Sequence, residues 1–577
     1  MAPPTAESIF PPRSMCPRQA TIASRAPQGV KNLEGQLEDG LLAHHVALSL
    51  SRLRSRLRWR SGGRRLSKMV PDCPMPGPCV KALAMSLQPN HDDGAPGRGP
   101  ASSSSPPAAG EQGGGAAERF WPIVREALRG SRRDLTDMPL GRAVLLLAVP
   151  MVLEMVMESV FAVADIFWVS KLGANAVAAV GLTESLLTVI YATAMGLSMG
   201  VGAVVARRTG AKDQDGAGRA TVQAVLIGLG FAAVIGVAGG LGGPRLLRLM
   251  GGSPEVELLG AGYARTMLGG SVTIVMLFLI NAAFRGAGDA AISMRTLWLA
   301  NGINILLGPV LIFGLGPAPR LGVTGAAIAT TIGRGIGVLY LLRALARGRG
   351  RLLVRREHVR LDPVVLRSIL RVARSGVVQA VIGMTSWVGL VRILSTFGSV
   401  AIAGYTIAIR VVLFALLPSW GLGNAAATLV GQNLGAGNPA RAEKAVWQAG
   451  LYNFVFLGLV GLAFVAFGRQ VVGLFTSEPE VLREGSRCLR IVAGGFGLYA
   501  YGMVVSQAFN GAGDTRTPTW INLGCFWLGE IPLAYVLSRG LDLGPVGAYV
   551  AIAVAFSAMA VVSVALFRRG TWKTVKV

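Results

Sequence analysis

The hexapeptide Phe284-Arg285-Gly286-Ala287-Gly288-Asp289 returns 225 residues later as Phe509-Asn510-Gly511-Ala512-Gly513-Asp514. The same offset aligns Gly173 with Gly398, Gly210-Ala211 with Gly435-Ala436, Gln223-Ala224 with Gln448-Ala449 and Pro254-Glu255-Val256 with Pro479-Glu480-Val481. No gap is needed from Gly173 to Asp289; beyond it the register slips by three, so that Gly325-Ala326 answers to Gly547-Ala548. Chance does not hold one offset over so long a stretch. The chain must fold as two homologous halves.

Each half is too apolar for water. Hydrophobic residues make up 52% of the chain, charged residues only 15%, and 77 of its 577 residues are glycine; such a chain cannot coat a soluble body of this size. Twelve apolar segments, at 142–168, 177–205, 220–241, 262–284, 293–315, 322–343, 368–395, 400–430, 444–467, 487–509, 517–537 and 545–567, each approach or exceed the roughly 20 residues that a spanning helix needs. Six fall in each repeat. An even number per repeat makes the halves parallel, related by an axis along the membrane normal.

The formal charge of +26 is a topology signal rather than a nucleic-acid footprint. Arginines crowd the connection between spans 6 and 7 (Arg343, Arg347, Arg349, Arg351, Arg355, Arg356, Arg360), follow span 2 (Arg207, Arg208, Lys212) and end the chain (Arg568, Arg569, Lys573). The opposite loops hold mostly lone cations such as Lys171, Arg320 and Arg539, the loop between spans 9 and 10 being the exception. The excess of Lys and Arg marks the cytoplasmic side. Both termini are therefore expected in the cytoplasm, and the protein in the inner (plasma) membrane.

Residues 1–118 read as a disordered extension, rich in Pro, Ser, Gly and Arg, with the low-complexity stretch Ala101 to Gly115; Met85 is a candidate for the true start. Residues 119–140 suit an amphipathic segment at the membrane surface, with Phe120, Trp121, Ile123, Val124 and Leu128 set against Arg125, Arg129, Arg132 and Arg133. The remaining boundaries are a first lobe at 141–345, a linker at 346–366, a second lobe at 367–570 and a tail at 571–577. Of five cysteines, Cys16, Cys73 and Cys79 lie in the extension and Cys488 and Cys525 in apolar segments, so neither disulfides nor a zinc site are indicated.

Charges inside spans are costly and mark pathways or coupling ions. Span 1 carries Glu154, Glu158 and Asp165. At 100° per residue they fall within about 40° of one another along about 16 Å of helix, a polar stripe that should face a cavity. Asp165 reads as an ion-coupling group or, beside Trp168 and Lys171, as a solvated interfacial carboxylate; the stripe favours the first. Glu154 and Glu158 read equally as pathway groups or as general polar lining. Glu184 in span 2 and Glu530 in span 11 are further cavity candidates. Across the repeat, Glu154 aligns with Gln379, Glu158 with Gly383 and Asp165 with Leu390, so the acidic stripe belongs to the first half alone. Intramembrane arginine is expected only at Arg392 and Arg410, as counter-ions, anion contacts or snorkelling side chains.

No catalytic constellation emerges. His44, His45, His91 and His358 lie outside the spans, and the GAGD segments sit between helices, where glycine allows a tight turn and Asp289 and Asp514 can cap the next helix. An enzyme is disfavoured, no cofactor is expected, and work must come from an ion gradient.

Three stretches together resemble the multidrug and toxic compound extrusion (MATE) transporters: Met151 to Leu182, the run GLGNAAATLVGQNLGAGNPARAEKAV from Gly421, and the paired FxGAGD loops. The similarity covers about residues 135 to 570 and points to the prokaryotic DinF-like branch. It implies an all-α membrane fold of two six-helix lobes around a central cavity, working as a monomer that exports organic, often cationic, small molecules against Na⁺ or H⁺. It also implies that the coupling aspartate of span 1 is Asp165, with Asn304 in span 5 and Thr330 in span 6 as partners. The second aspartate of that group is missing, because Gly308 stands in its place, and the acidic residues that other members carry in spans 7 and 10 are absent too. Hard cations want several oxygens, so a lone first-lobe carboxylate fits proton coupling better than sodium. Rocking of the lobes, with bends at Pro150, Pro309 and Pro532, is the expected mechanism. The alternative is a flippase for a lipid-linked saccharide or other amphiphile, which needs a strongly cationic cavity.

Overall fold

The computed structural model describes residues 116–577 apart from 132 and 349. The extension, with its histidines, three cysteines and candidate start at Met85, lies outside the described residues up to 115. The amphipathic segment forms a surface helix, Ala116–Arg129, which begins inside the range assigned to the extension.

The spans follow in order. Spans 1, 2 and 3 are Leu140–Ser170, Ala174–Gly210 and Gln214–Leu249; span 4 is Pro254–Ala287; spans 5 and 6 are Ala290–Phe313 and Val323–Ala346. The second lobe repeats this with Pro363–Phe397, Ser399–Gly435, Pro439–Gly473, the pair Pro479–Gly494 and Phe496–Ala512, Arg516–Gly540 and Pro545–Arg568 as spans 7 to 12. Every apolar segment named from the sequence falls on one of these. The two halves of span 10 meet at 59°, next to Gly495. Span 11 widens into π-turns at Leu523–Glu530 and Val536–Gly540, on either side of Pro532, which has no N–H to continue the regular ladder.

Helix ends follow local chemistry. Asp213, Ser253, Asp362 and Asn438 accept backbone N–H bonds at the starts of spans 3, 4, 7 and 9, satisfying donors that the helix leaves free. Spans 4 and 10 stop at Gly288 and Gly513, with φ of +88° and +86°, a left-handed conformation that glycine adopts without strain. The two aspartates that follow diverge. Asp514 caps as expected, accepting from Thr517 N at 3.2 Å. Asp289 makes no cap bond; its carboxylate accepts from Arg351 N at 2.6 Å and holds the linker between the lobes.

The lobes interlock at the end where spans 1 and 7 begin and spans 2 and 8 finish, the arginine-rich end. Ala143, Leu147 and Met151 of span 1 are buried in the second lobe's core beside Leu429 and Val446. Val365, Ile369 and Ala373 of span 7 are buried in the first lobe's core. Each lobe thus receives the first turns of the other's leading helix. Small residues permit the crossing: a Cβ on Gly196 would lie 2.3 Å from Val377 N, and one on Gly421 2.7 Å from Val152 N. Gln432 Nε2 donates to Gly286 O across the same seam at 2.9 Å.

The surface helix and the residues after it are tied to this end from both lobes. Arg142 pairs with Glu126, Arg295 donates to Leu128 O, and Arg441 of span 9 donates to Leu135 O and Met138 O. The guanidinium of Arg142 holds the Glu126 carboxyl below the usual carboxylate range, with Ser131 and the Arg133 charge adding to the effect.

Candidate functional site

A cavity of about 620 Å³ lies between the lobes, with its floor at the arginine-rich end. Spans 1, 2, 4, 5 and 6 wall one side and spans 7, 8, 10, 11 and 12 the other. Met155, Met195, Met199, Met384, Met503 and Met559 line it together with Phe278, Trp420 and Tyr499. Thioether side chains are unbranched and polarisable, so such a wall fits apolar bodies of varied shape.

Polar groups enter this wall at defined heights. At the floor, Arg285 Nη1 donates to Glu154 Oε1 at 2.6 Å, with the Glu154 side chain 1% exposed. One helical turn higher, Asn301 Nδ2 donates to Glu158 Oε2 at 3.0 Å. Arg334 of span 6 donates from Nη2 to the Tyr191 hydroxyl at 3.1 Å and lies near the Phe161 and Tyr191 rings. Its charge also acts on Glu158 and Asp165. The second lobe answers with amides: Gln379 is buried in the wall, and Asn510 Nδ2 donates to Gln507 Oε1 at 2.8 Å.

The candidate residues separate into groups. Glu154, Glu158 and Gln379 line the cavity. Asp165 is half-buried further along span 1, outside the cavity wall. Asn304 and Thr330 are brought together, Asn304 Nδ2 donating to Thr330 Oγ1 at 2.6 Å while that hydroxyl donates to Ala326 O. Neither is hydrogen-bonded to Asp165. Gly308 faces span 1, where a Cβ would stand 3.9 Å from Trp168 Cδ1. Glu184 is exposed and feels the charges of Asp165 and Arg410. Arg392 is exposed and Glu530 is buried within the second lobe; neither belongs to the cavity wall. Among the described residues no group of three His, Cys, Asp or Glu side chains could hold a metal ion.

The expectation that intramembrane arginine is confined to Arg392 and Arg410 is corrected: Arg285 and Arg334 both line the cavity. Arg285 looked like a loop residue because it opens the GAGD turn, yet its side chain points back into the bundle. Arg334 lies inside the predicted sixth span, so reading that span for cations as span 1 was read for anions finds it.

Comparison with known proteins agrees with this architecture. The sequence model of the MatE family matches twice, over residues 150–310 and 377–536, once in each repeat. A probable multidrug resistance protein of Bacillus subtilis, YoeA, is 27% identical over 72% of this chain and 91% of its own. A probable multidrug resistance protein NorM of Thermotoga maritima is 26% identical over 74% and 92%, and a FAD transporter of Shewanella oneidensis 27% over 70% and 89%. Among solved structures, a MATE transporter in complex with MaL6 superposes with a TM-score of 0.72 at 27% identity, covering 78% of this chain and 99% of the other. A Pyrococcus furiosus transporter of the MOP superfamily, whose binding pocket is described as of reversed polarity, gives 0.71 at 27% identity over 78% and 98%. With both repeats matched, the chain belongs to the MatE family, whose members are membrane transporters and not enzymes.

Proposed function

We propose that this protein is a secondary active exporter that carries organic compounds bearing a positive charge through the central cavity, in exchange for protons. The observation that carries the reading is a single cavity walled by both repeats and shut at one end by helix crossings that the repeat makes equivalent. Rocking the lobes about that seam exposes the cavity to one side and then the other. By the excess of arginine, the shut end is cytoplasmic, and both described chain ends lie on that side of the plasma membrane. The protein acts as a monomer.

Asp165 is the proposed coupling group, supported by its half-buried place on span 1, on the helix that also carries Glu154 and Glu158. Protonating a desolvated carboxylate removes its burial cost and shifts the balance between lobe shapes. Asn304 and Thr330 brace span 5 against span 6. With Gly308 in place of a second carboxylate, sodium finds too few oxygens. The flippase alternative asks for a net cationic cavity. Here the two arginines of the cavity wall, Arg285 and Arg334, are matched by two carboxylates, Glu154 and Glu158, so the charges balance.

The test is dye efflux from proteoliposomes under imposed H⁺ or Na⁺ gradients, with ethidium as the probe. A proton gradient alone should drive flux, and Asp165→Asn should abolish it while preserving the folded protein. Undiminished flux through Asp165→Asn removes the coupling assignment; no gradient-driven flux in the native protein removes the export reading.

A further inference from the structure

The connection between spans 9 and 10 lies at the end opposite the arginine-rich one, yet Arg469, Arg483, Arg487 and Arg490 together line a pocket of about 650 Å³ there. Arg483, Arg487 and Arg490 stand on the first half of span 10, Pro479–Gly494. Steps of four and three residues keep them within about 60° of one another over about 10 Å of helix. Arg469 joins them from span 9, just past the break in helical geometry at Phe467. Four guanidinium groups from two spans therefore converge on one concavity.

The protein does little to neutralise them. Arg487 pairs with Glu484 at 3.2 Å, and among the described residues Arg469, Arg483 and Arg490 make no ion pair. Glu480, one turn before Arg483, is exposed and outside the pocket wall. The first lobe shows that the fold does not require these cations. Across the repeat Arg469 aligns with Pro244, Arg483 with Leu258 and Arg487 with Gly262, and only Arg490 has a basic counterpart, Arg265. Where the second lobe has Leu482, the first has Glu257, which holds Arg248 at 2.7 Å.

Position and surroundings point the pocket at the membrane. Leu258, the equivalent of Arg483, is 82% exposed, so the first lobe turns this face toward lipid. Arg487 and Arg490 fall at the start of the apolar segment 487–509 and Arg483 one turn outside it, the level of headgroups. Leu462 and Val465, seven and four residues before Arg469 on span 9, are exposed and continue its face toward the hydrocarbon.

We propose that this pocket binds the headgroup phosphate of an anionic phospholipid, in the leaflet opposite the arginine-rich end, with the acyl chains along span 9. Guanidinium forks match phosphate oxygens, and a basic pocket between spanning helices suits an anionic headgroup. The bound phosphate ties span 9 to the first half of span 10 and relieves the repulsion among the four cations. None of the pocket residues lines the central cavity, so the site is separate from the transport route.

The test is photolabelling of the purified full chain in neutral detergent, using phosphatidylglycerol with a diazirine in its acyl chains and peptide mass spectrometry to locate the crosslinks. Label should appear on spans 9 and 10 beside the pocket. Unlabelled phosphatidylglycerol should displace it, and phosphatidylcholine should need on the order of tenfold more, because its choline meets the same arginines. Arg469→Gln combined with Arg483→Gln, two exposed positions without ion pairs, should weaken labelling here on the order of twentyfold, about fivefold per arginine. Labelling at the arginine-rich end should be unchanged in that variant and reports an intact fold; if that control is lost, the competition in native protein alone decides. Equal displacement by phosphatidylcholine, undiminished labelling in an intact double variant, or no label on spans 9 and 10 overturns the proposal. Displacement by inorganic phosphate at the concentration that suffices for phosphatidylglycerol overturns it as well, since the pocket then takes a free anion rather than a lipid.

Discussion

Gly210 and Gly435 pack reciprocally across the lobe seam. A Cβ on Gly210 would stand 1.9 Å from Gln432 O, and one on Gly435 2.0 Å from Arg207 O. Gly210 and Gly435 are repeat-equivalent, and so are Arg207 and Gln432. The duplication thus places a two-fold contact where spans 2 and 8 end, and neither position can hold alanine without separating the helices. Overpacking of this kind costs about 1–3 kcal/mol, charged only to the shut arrangement. Gly210→Ala should therefore populate the state open at the arginine-rich end. A cysteine at Thr428, in the cavity wall, should react faster in that background with a membrane-impermeant maleimide presented from that end; an unchanged rate sinks the prediction.

The Glu154–Arg285 pair predicts a non-additive mutant cycle. Removing one partner of a buried pair strands the other, at about 3–5 kcal/mol. Glu154→Leu should lower the thermal midpoint in detergent far more than Glu154→Leu combined with Arg285→Leu, because the double change leaves no orphaned charge. If the double variant is as unstable as the sum of the singles, the pair is not energetically coupled.

Docking of the surface helix should depend on pH through Glu126. Its carboxyl titrates below the ordinary range because Arg142 hydrogen-bonds the charged form. The contribution is therefore complete above the unfolded pKa and is lost as pH falls through the lower folded value. Hydrogen-exchange protection over 121–131, taken relative to the intrinsic rate at each pH, should be high at neutral pH and fall under acid, and Glu126→Gln should show the lower protection already at neutral pH. Protection that is the same in Glu126→Gln and native protein at pH 7 rules this out.

All twelve spans and their pairing into repeats were legible, because hydrophobic length and a fixed offset are local signals that tertiary context rarely overrides. Glu154 and Gln379, which the repeat maps onto each other, both line the cavity. What escaped reading was how the lobes interlock. Nothing local distinguishes Ala143 or Ile369 as a residue buried in the opposite lobe's core, for both carry ordinary apolar helix turns. Arg285 was hidden by its place at a turn, and the Asp289–Arg351 bond by a separation in sequence that no capping rule spans. Asp289 and Asp514 share a motif but not a task, because only the first lobe is followed by a long linker that must be held down.

That linker has a counterpart at the other end of the repeat. Arg207 Nη2 donates both to Ala512 O of span 10 and to Val575 O of the tail, each at 3.0 Å. Trp572 is fully buried and stacks on Phe567 with centroids 4.6 Å apart, Lys573 pairs with Glu443, and Val577 rests against the first lobe's core. The tail is thus anchored on the second lobe and touches the first, across the seam that Gly210 and Gly435 close. Trp572→Ala removes its anchor and, as a buried aromatic truncation, should cost about 3–5 kcal/mol locally. Since the contact with Arg207 exists only while the seam is shut, loss of the anchor should also weaken closure. Spin labels on spans 2 and 8 at the arginine-rich end should report a longer distance population in Trp572→Ala than in native protein. An unchanged distance distribution, with the tail shown released by proteolysis, means that the strap stabilises the second lobe alone.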